Sequence, residues 1–216
     1  GNLNNFSLND AVELEQMPDL EKYILNKISQ MNIELKSLVK KHDYHGIFVK
    51  LLNFCTLDLS AFYFDIRKDS LYCDGKNSLK RRSVSTCLNI LFDFLSKWFS
   101  PIISFTSEEA WQLRHQDNST SILSQTITEK DFTYSNSNLE KSFDELKRVR
   151  KSVTAALEIK RNEKLIGSSL QAKATIYIPS EIKQILSTLD LAEMCIVSCV
   201  EIKDIAEKTT TSMNFE

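Results

Sequence analysis

Residues 18–40, PDLEKYILNKISQMNIELKSLVK, hold the pattern that decides the fold. Pro18 and Asp19 mark a helix start, and apolar side chains then recur at every third or fourth residue, which is the spacing of one face of an α-helix. The apolar positions are Leu20, Ile24, Ile28, Met31, Leu35 and Leu38. Because other elements must cover such a stripe, the segment predicts one helix of a bundle.

Four further helices are expected before residue 168. Their predicted ranges are residues 47–65, residues 79–99 with Ser78 as N-cap, residues 106–114 with Thr106 and Glu109 as a capping box, and residues 139–163 followed by Gly167 as C-terminal cap. The helix from residue 47 is expected to bury Phe48, Leu51, Leu52, Cys55, Leu59 and Phe62. Residues 66–76 and 115–138 are expected to form a turn and a surface loop.

Beyond Gly167 the apolar period changes from 3.6 residues to two. Residues 173–178 (KATIYI) and 195–202 (CIVSCVEI) are predicted strands, with a short helix over residues 180–188 between them. The expected fold class is therefore mainly α. A helical bundle is expected over residues 1–168, a small β-α-β appendage over 169–205 and a polar tail over 206–216.

The composition favours a globular helical protein. Four Gly and three Pro among 216 residues are too few for collagen-like sequence, a disordered linker array or a turn-rich all-β fold. The formal net charge is -2, so any nucleic-acid surface must be a local patch. Five scattered cysteines without a CxxC pair, and a first segment unlike a signal peptide, predict a cytoplasmic protein. The most apolar window, residues 88–105, contains Asp93, Lys97 and Pro101 and is not expected to span a membrane.

No motif predicts a catalytic centre. His42 and His45 have a spacing that suits a metal, but no further ligand is near and a turn is the simpler interpretation. Glu108 and Glu109 are explained by a place in the first turn of a helix, where the helix dipole favours anions. A glycine-rich phosphate loop, a GxSxG elbow and an HExxH motif are missing from the sequence. The sequence therefore predicts no catalytic residue and no metal site.

Positive charge clusters in two places. The first cluster is Lys76, Lys80, Arg81 and Arg82, and the second is Lys147, Arg148, Arg150, Lys151, Lys160, Arg161 and Lys164. On the last long helix, one side is expected to carry Lys147, Arg150, Lys151 and Arg161, and the other Leu146, Val149, Val153 and Ala156. Cations spaced along a rod can meet successive RNA phosphates, although a solvated helix face has the same charge pattern.

Aromatic and charged residues also alternate in the run FYFDIRKD (62–69) and at Tyr72. A ring beside a cation suits stacking on an unpaired base, which makes Arg67, Lys68 and Tyr72 candidates for loop recognition. Three consecutive aromatic residues cannot all face one side of a helix, so at least one belongs to the core. Simple packing of the run is the alternative.

Three segments together are similar to bacterial isoleucyl-tRNA synthetases, a class I family. They are FCTLDLSAFYFDIRKDSLYCD (54–74), SKWFSPIISFTSEEAW (96–111) and ALEIKRNEKLIGSSLQA (156–172). They resemble that family's C-terminal anticodon-binding region in order and approximate separation, and the similarity extends from about Met17 to Ile202. The run from Trp98 to Trp111 is shared with the valyl and leucyl synthetases, whereas FYFDIRKD-x-LY is more particular to the isoleucyl family.

The resemblance implies a part of the enzyme that grips the anticodon stem-loop of isoleucine tRNA, with the catalytic and editing domains upstream in the same chain. ATP and Mg would act in those domains. The HIGH and KMSKS signatures are absent from this sequence, so the stretch is expected to be inactive alone. The initial Gly in place of Met agrees with a piece of a longer protein. The family's four-cysteine zinc module is also absent, and no zinc is expected here.

The charge pattern and the resemblance, taken together, give the expected roles of individual side chains. Contacts to backbone phosphates are expected from Lys147, Arg148, Arg150, Lys151, Arg161 and Lys164, and from a second cluster of Lys80, Arg81 and Arg82. Arg67, Lys68 and Tyr72 are expected near the loop bases. Trp98, Phe105 and Trp111 are assigned to packing. The alternative is a helical scaffold that docks a partner protein without any RNA role, which holds if the basic clusters point in unrelated directions.

Overall fold

The computed structural model describes residues 3, 6–116, 120–125 and 134–207. The chain divides into two compact units, the first over Gly1–Ser135 and the second over Asn136–Glu216. The first unit is helical, and the second combines one long helix with a two-stranded sheet. The expected fold class is confirmed. The domain boundary that the change of apolar period predicts, near residue 168, lies inside the second unit.

The first unit has five α-helices and one π-helical segment among its described residues. Their bounds are α1 Asp19–Lys40, α2 Tyr44–Asn53, the π-helix Phe54–Phe64, α3 Asp65–Tyr72, α4 Leu79–Phe99 and α5 Ser104–His115. Helix α1 packs against α2 and α4, and α4 also contacts α3 and α5. The core of this unit therefore lies around α1 and α4.

The apolar stripe of α1 is buried as its spacing predicts. Leu20, Ile24 and Ile28 are fully shielded from solvent, and Leu35 is buried two turns further on. Helix α4 begins after the expected N-cap, because the Ser78 hydroxyl accepts a hydrogen bond from the backbone amide three residues later at 3.1 Å. That bond satisfies one of the amides that every helix start leaves unpaired.

Residues 44–72 form one continuous helical rod that extends past the end predicted near residue 65. Its middle part is wound as a π-helix, which has a wider turn than an α-helix. Phe54 and Leu59, five residues apart, are consequently both buried, whereas Phe48 and Leu52 are each 47% exposed. The prediction that Phe48 and Leu52 are buried is wrong, because the buried face of α2 carries Ile47 and Leu51, and each exposed residue lies about 100° further around the helix.

By length and composition alone, the rod Tyr44–Tyr72 is apolar enough to cross a membrane. The core helix of a soluble protein passes the same test. Here α2 packs against α1 and α3 packs against α4, and the rod carries a buried ion pair at Arg67. These contacts are those of a helix within a bundle.

Helix α5 starts two residues earlier than predicted, and no side chain caps it, so Thr106 does not form a capping box. Trp98 and Trp111 are buried as expected, but Phe105 is 93% exposed. Phe105 lies about 120° around the helix from Trp111. Its assignment to packing is therefore wrong.

The second unit contains α6 Ser137–Asn162, β1 Lys173–Ile178, α7 Ser180–Leu186, α8 Leu191–Cys195 and β2 Cys199–Asp204. The strands pair in parallel, with Lys173 opposite Cys199. This confirms the β-α-β arrangement, with two short helices in the connection. Helix α6 packs against α7 and α8. That packing groups the long helix with the sheet.

Two details of this unit differ from the prediction. The left-handed residue after α6 is Lys164, at φ 59°, and not Gly167. The amides of Lys164 and Leu165 donate to carbonyls in the last turn, so the helix end is satisfied without glycine. Cys195 ends α8 and is buried, which leaves Cys199 as the cysteine of the strand.

Candidate nucleic-acid interface

Helix α6 has one buried side and one exposed side. Its buried side chains are Phe143, Leu146, Val149, Val153 and Leu157. The cations predicted to meet RNA do not all lie on the opposite side. They fall into two groups, one that holds the unit together and one that faces solvent.

Arg150 and Arg161 belong to the first group. The Arg150 guanidinium donates to the backbone carbonyl of Met194 at the end of α8. The Arg161 guanidinium donates to the Glu158 carboxylate and to the Ser169 hydroxyl. Both side chains are half-buried. The structure therefore gives them contacts that tie α6 to its neighbours.

The second group offers charge to solvent. The Arg148 side chain is 77% exposed and pairs with Glu145 at 2.9 Å, which is an exposed pair of small net strength. Lys151 and Lys164 are exposed and have no ion pair among the described residues, while Lys147 is half-exposed and has a partner. Three of the cations predicted to meet RNA along and just beyond α6, Arg148, Lys151 and Lys164, are therefore exposed.

The cluster at the start of α4 is largely occupied. Arg81 Nη1 donates to the carbonyl of Asp74 at 2.7 Å, and Arg82 Nε donates to the carbonyl of Asp10 at 3.1 Å. Lys80 is half-exposed and also has a partner. These bonds fasten the segments around residues 10 and 74 to α4.

Arg67 is the clearest correction. Its Nε and Nη2 donate to the two carboxylate oxygens of Glu21 at 2.7 and 2.9 Å, and the side chains are 1% and 0% exposed. A bidentate pair in the core is a structural contact between α1 and α3. The expected contact of Arg67 with RNA is wrong. By contrast, Lys68 is exposed beside Asp65 at 3.0 Å, and Tyr72 is 74% exposed.

Glu108 and Glu109 do not lie in the first turn of α5, which begins at Ser104, so the prediction that the helix dipole explains them is wrong. Glu108 has a structural role instead. Glu108 accepts hydrogen bonds from Gln112 Nε2 at 2.8 Å, from the Ser121 hydroxyl at 2.8 Å and from the Ile122 amide at 2.9 Å. The side-chain bonds from Gln112 and Ser121 hold the pKa of Glu108 below its usual value. Glu108 thereby anchors the turn that buries Ile122 in the first unit.

The first unit also contains a groove with lysines at its rim, the lysine-rimmed groove, which sequence analysis missed. It has a volume of about 950 Å³. Its lining comprises Asn32, Leu35, Lys36, Val39, Lys40, Tyr44, Ile47, Phe48, Lys97, Trp98, Pro101 and Ile102. Lys36 and Lys40 lie four residues apart, as do Tyr44 and Phe48, so the sequence does place each pair on one helical face.

The turn between α1 and α2 sets the position of Tyr44. His42 has a left-handed backbone, at φ 56°, and Asp43 caps α2 by accepting from the Gly46 amide at 2.8 Å. A Cβ at residue 46 would lie 2.5 Å from an oxygen of Asp43, so glycine permits this close cap. His42 and His45 are exposed members of this turn, and the described residues contain no group of three metal-ligating side chains.

Comparison with known proteins gives the context of these surfaces. Residues 21–176 match the family model described as the anticodon-binding domain of tRNA ligase. The isoleucine–tRNA ligase of Pelagibacter ubique is 41% identical over 201 residues, which are 92% of this chain and 22% of that protein. The ligases of Agrobacterium fabrum and Rhodopseudomonas palustris are 39% and 37% identical over 89% and 92% of this chain, and each match covers 20% of the relative.

These comparisons confirm the resemblance to isoleucyl-tRNA synthetases. The chain spans about a fifth of the length of the curated relatives it matches. The match to the family model runs from the first turn of α1 to the middle of β1, so it includes parts of both compact units. The chain therefore belongs to the family of anticodon-binding domains of tRNA ligases.

Proposed function

We propose that the chain is the anticodon-binding part of an isoleucine–tRNA ligase and holds the anticodon stem-loop of isoleucine tRNA. The supporting observation is that the match to the anticodon-binding family coincides with high identity to isoleucine–tRNA ligases over about nine-tenths of the chain. Ligation, with ATP and Mg, belongs in this proposal to other parts of a longer chain, and these residues alone are inactive. Five free cysteines agree with a reducing cytoplasmic location.

In this proposal the exposed cations carry the backbone contacts. Arg148, Lys151 and Lys164 meet phosphates directly, because their charged ends are open to solvent. Arg150 and Arg161 act indirectly, by holding α6 against its neighbours. Lys80 on α4 and Lys147 on α6 are half-exposed and add positive charge to their helices. Lys68 and Tyr72 offer an exposed cation and an exposed ring at α3.

The proposal is tested by titrating the chain into a fluorescently labelled anticodon stem-loop of isoleucine tRNA and into a scrambled-loop control, over a series of salt concentrations. We expect tighter binding to the true loop and a steep loss of affinity with salt. Lys151→Gln should weaken binding to both RNAs and reduce the salt slope by about one unit. Lys183→Gln, which removes an exposed cation from α7 instead, is the matched control.

Absence of binding to either RNA at low salt would contradict the proposal and favour the helical scaffold. Equal affinity for the true and scrambled loops would leave a phosphate-binding role and remove loop recognition from these residues. An unchanged salt slope in the Lys151 variant would exclude that side chain from the backbone contacts.

A further inference from the structure

We propose that the end of helix α5 is a pH-dependent latch, in which the protonated imidazole of His115 holds α5 against α4 and the neutral imidazole releases it. The latch consists of His115, of Asp93 on α4 and of Trp111, one turn earlier on α5. All three residues lie in the first unit. The latch requires no RNA, so it is tested separately from the proposed function.

The imidazole of His115 lies against aromatic rings. Its ring centroid is 4.0 Å from that of Trp111 and 6.3 Å from that of Phe92 on α4. Phe92 and Trp111 are themselves stacked, with 15° between their ring planes. A cation within about 6 Å of a tryptophan ring is attracted by the π electrons, and a neutral imidazole lacks that attraction. The protonated ring therefore holds the end of α5 more strongly than the neutral ring does.

The carboxylate of Asp93 supplies the opposite charge. Its Oδ1 lies 3.8 Å from His115 Nε2, and both side chains are 37% exposed. The Oδ1 atom itself is shielded from solvent and has no hydrogen-bond partner among the described residues. Burial raises the pKa of Asp93, so its ionised form is held in the fold at a cost. A charged imidazole has an N–H at both ring nitrogens and offsets part of that cost.

The other charges around the latch do not replace the proton on His115. Burial outweighs the charges of Lys97, one turn along α4, and of Arg114, which lower the pKa of Asp93. The Arg114 guanidinium donates at 2.7 Å to the side-chain oxygen of an asparagine on α4. The turn Ile122–Ser124, which also packs against α5, contains no titratable side chain. Of these groups, only a histidine changes charge close to neutral pH.

The sign of the pH effect follows from these contacts. Histidine changes charge between about pH 5 and pH 8. Towards the acidic end of that range, charged His115 pairs with Asp93, lies against an aromatic ring and places a cation at the C-terminal end of a helix. Towards the alkaline end these three attractions are lost, while Asp93 keeps its charge. The stability that the latch contributes is therefore present at pH 6 and falls as the pH rises to 8.

Urea unfolding followed by circular dichroism at pH 6 and pH 8 tests the latch. His115→Gln should raise the unfolding equilibrium constant about two- to tenfold at pH 6 and less than about twofold at pH 8. His115→Arg keeps a cation that stacks on aromatic rings, so it should lower the constant at pH 8. His45→Gln is the matched control, since His45 is an exposed histidine in the turn between α1 and α2. It should have an effect of less than about twofold at both pH values.

A second series tests the pair of His115 and Asp93 directly. Asp93→Asn removes the buried charge, so it should lower the unfolding constant at pH 8. At pH 6 it also removes the partner of the charged imidazole, so the gain should shrink or reverse. The double variant completes a mutant cycle, in which the two changes should be coupled about two- to fivefold at pH 6 and independent at pH 8.

Three results would overturn the inference. The first is an equal effect of His115→Gln at pH 6 and pH 8, which would mean that the side chain acts through its shape alone. The second is a pH dependence of His45→Gln as large as that of His115→Gln. The third is coupling between His115 and Asp93 that does not change with pH. Failure of the stem-loop titration contradicts only the proposed function, and failure of these unfolding experiments contradicts only the latch.

Discussion

Removal of the Arg67 guanidinium should destabilise the first unit strongly. Arg67→Met would leave the Glu21 carboxylate with no counter-charge at a position where both side chains are at most 1% exposed. Loss of one partner of a buried pair typically costs about 3–5 kcal/mol, because the remaining charge stays desolvated. Small domains are stable by about 5–15 kcal/mol. The variant should therefore lose a large part of the stability of this unit.

The adjacent residue supplies a matched control. Lys68 forms an ion pair with Asp65 at 3.0 Å, but the two side chains are 51% and 37% exposed. Exposed pairs contribute about 0–1 kcal/mol, so Lys68→Met should change stability by less than about 1 kcal/mol. A double variant, Glu21→Leu with Arg67→Met, removes both charges and should recover most of the loss, since apolar replacements of buried pairs are often neutral or stabilising.

Urea unfolding followed by tryptophan fluorescence measures these changes, because Trp98 and Trp111 both lie in the first unit. The urea concentration at the unfolding midpoint should be much lower for Arg67→Met than for Lys68→Met. The midpoint of the double variant should be higher than that of Arg67→Met, and it can equal or exceed that of the unaltered chain. Equal midpoints for Arg67→Met and Lys68→Met would refute the buried pair and return Arg67 to the surface as a candidate RNA contact.

Three further outcomes follow from particular contacts. Ser78→Ala should lower the free energy of unfolding by about 1 kcal/mol through loss of the α4 N-cap, measured by urea unfolding, whereas Asn77→Ala, one residue earlier, should have little effect. Glu108→Ala should speed amide exchange in the turn that Glu108 anchors, and Glu109→Ala should not. The pKa of Glu108 is lowered in the folded chain, so the anchoring is fully present above the unfolded pKa of about 4.5. It is lost as the pH falls through the folded pKa. Burial raises the pKa of the Cys87 thiol far above its usual range. In a titration with a thiol reagent at pH 8, the exposed cysteines should therefore react in the folded chain, and Cys87 should react only after unfolding. Equal reaction rates for all cysteines in the folded chain would contradict the burial of Cys87.

Local patterns predicted those parts of the fold that depend on neighbours along the chain. The stripe of α1 needs a spacing of three or four residues, and the start of α4 needs a hydroxyl at Ser78; both are visible in the sequence. The winding of Phe54–Phe64 is not visible in this way. A π-helical turn holds more residues than an α-helical turn, so the spacing of buried residues changes within the segment. A search for one constant period does not detect that change.

The candidate site was harder to predict because its chemistry depends on distant partners. Arg67 and Lys68 are adjacent in sequence and equally basic, yet Glu21, 46 residues away from Arg67, decides that one is buried and the other exposed. Arg150 is likewise engaged by a carbonyl 44 residues later. The lysine-rimmed groove unites α1, α2 and α4, and only tertiary packing brings those three segments together.

The central claim is that these residues hold the anticodon stem-loop of isoleucine tRNA. The most direct measurement is a footprint of the ribose backbone, in which end-labelled isoleucine tRNA is cleaved by hydroxyl radicals with and without the chain. We expect protection confined to the anticodon stem and loop, and loss of that protection as salt rises. Protection confined to the acceptor end, or no protection at a chain concentration in large excess over the tRNA, would contradict the claim.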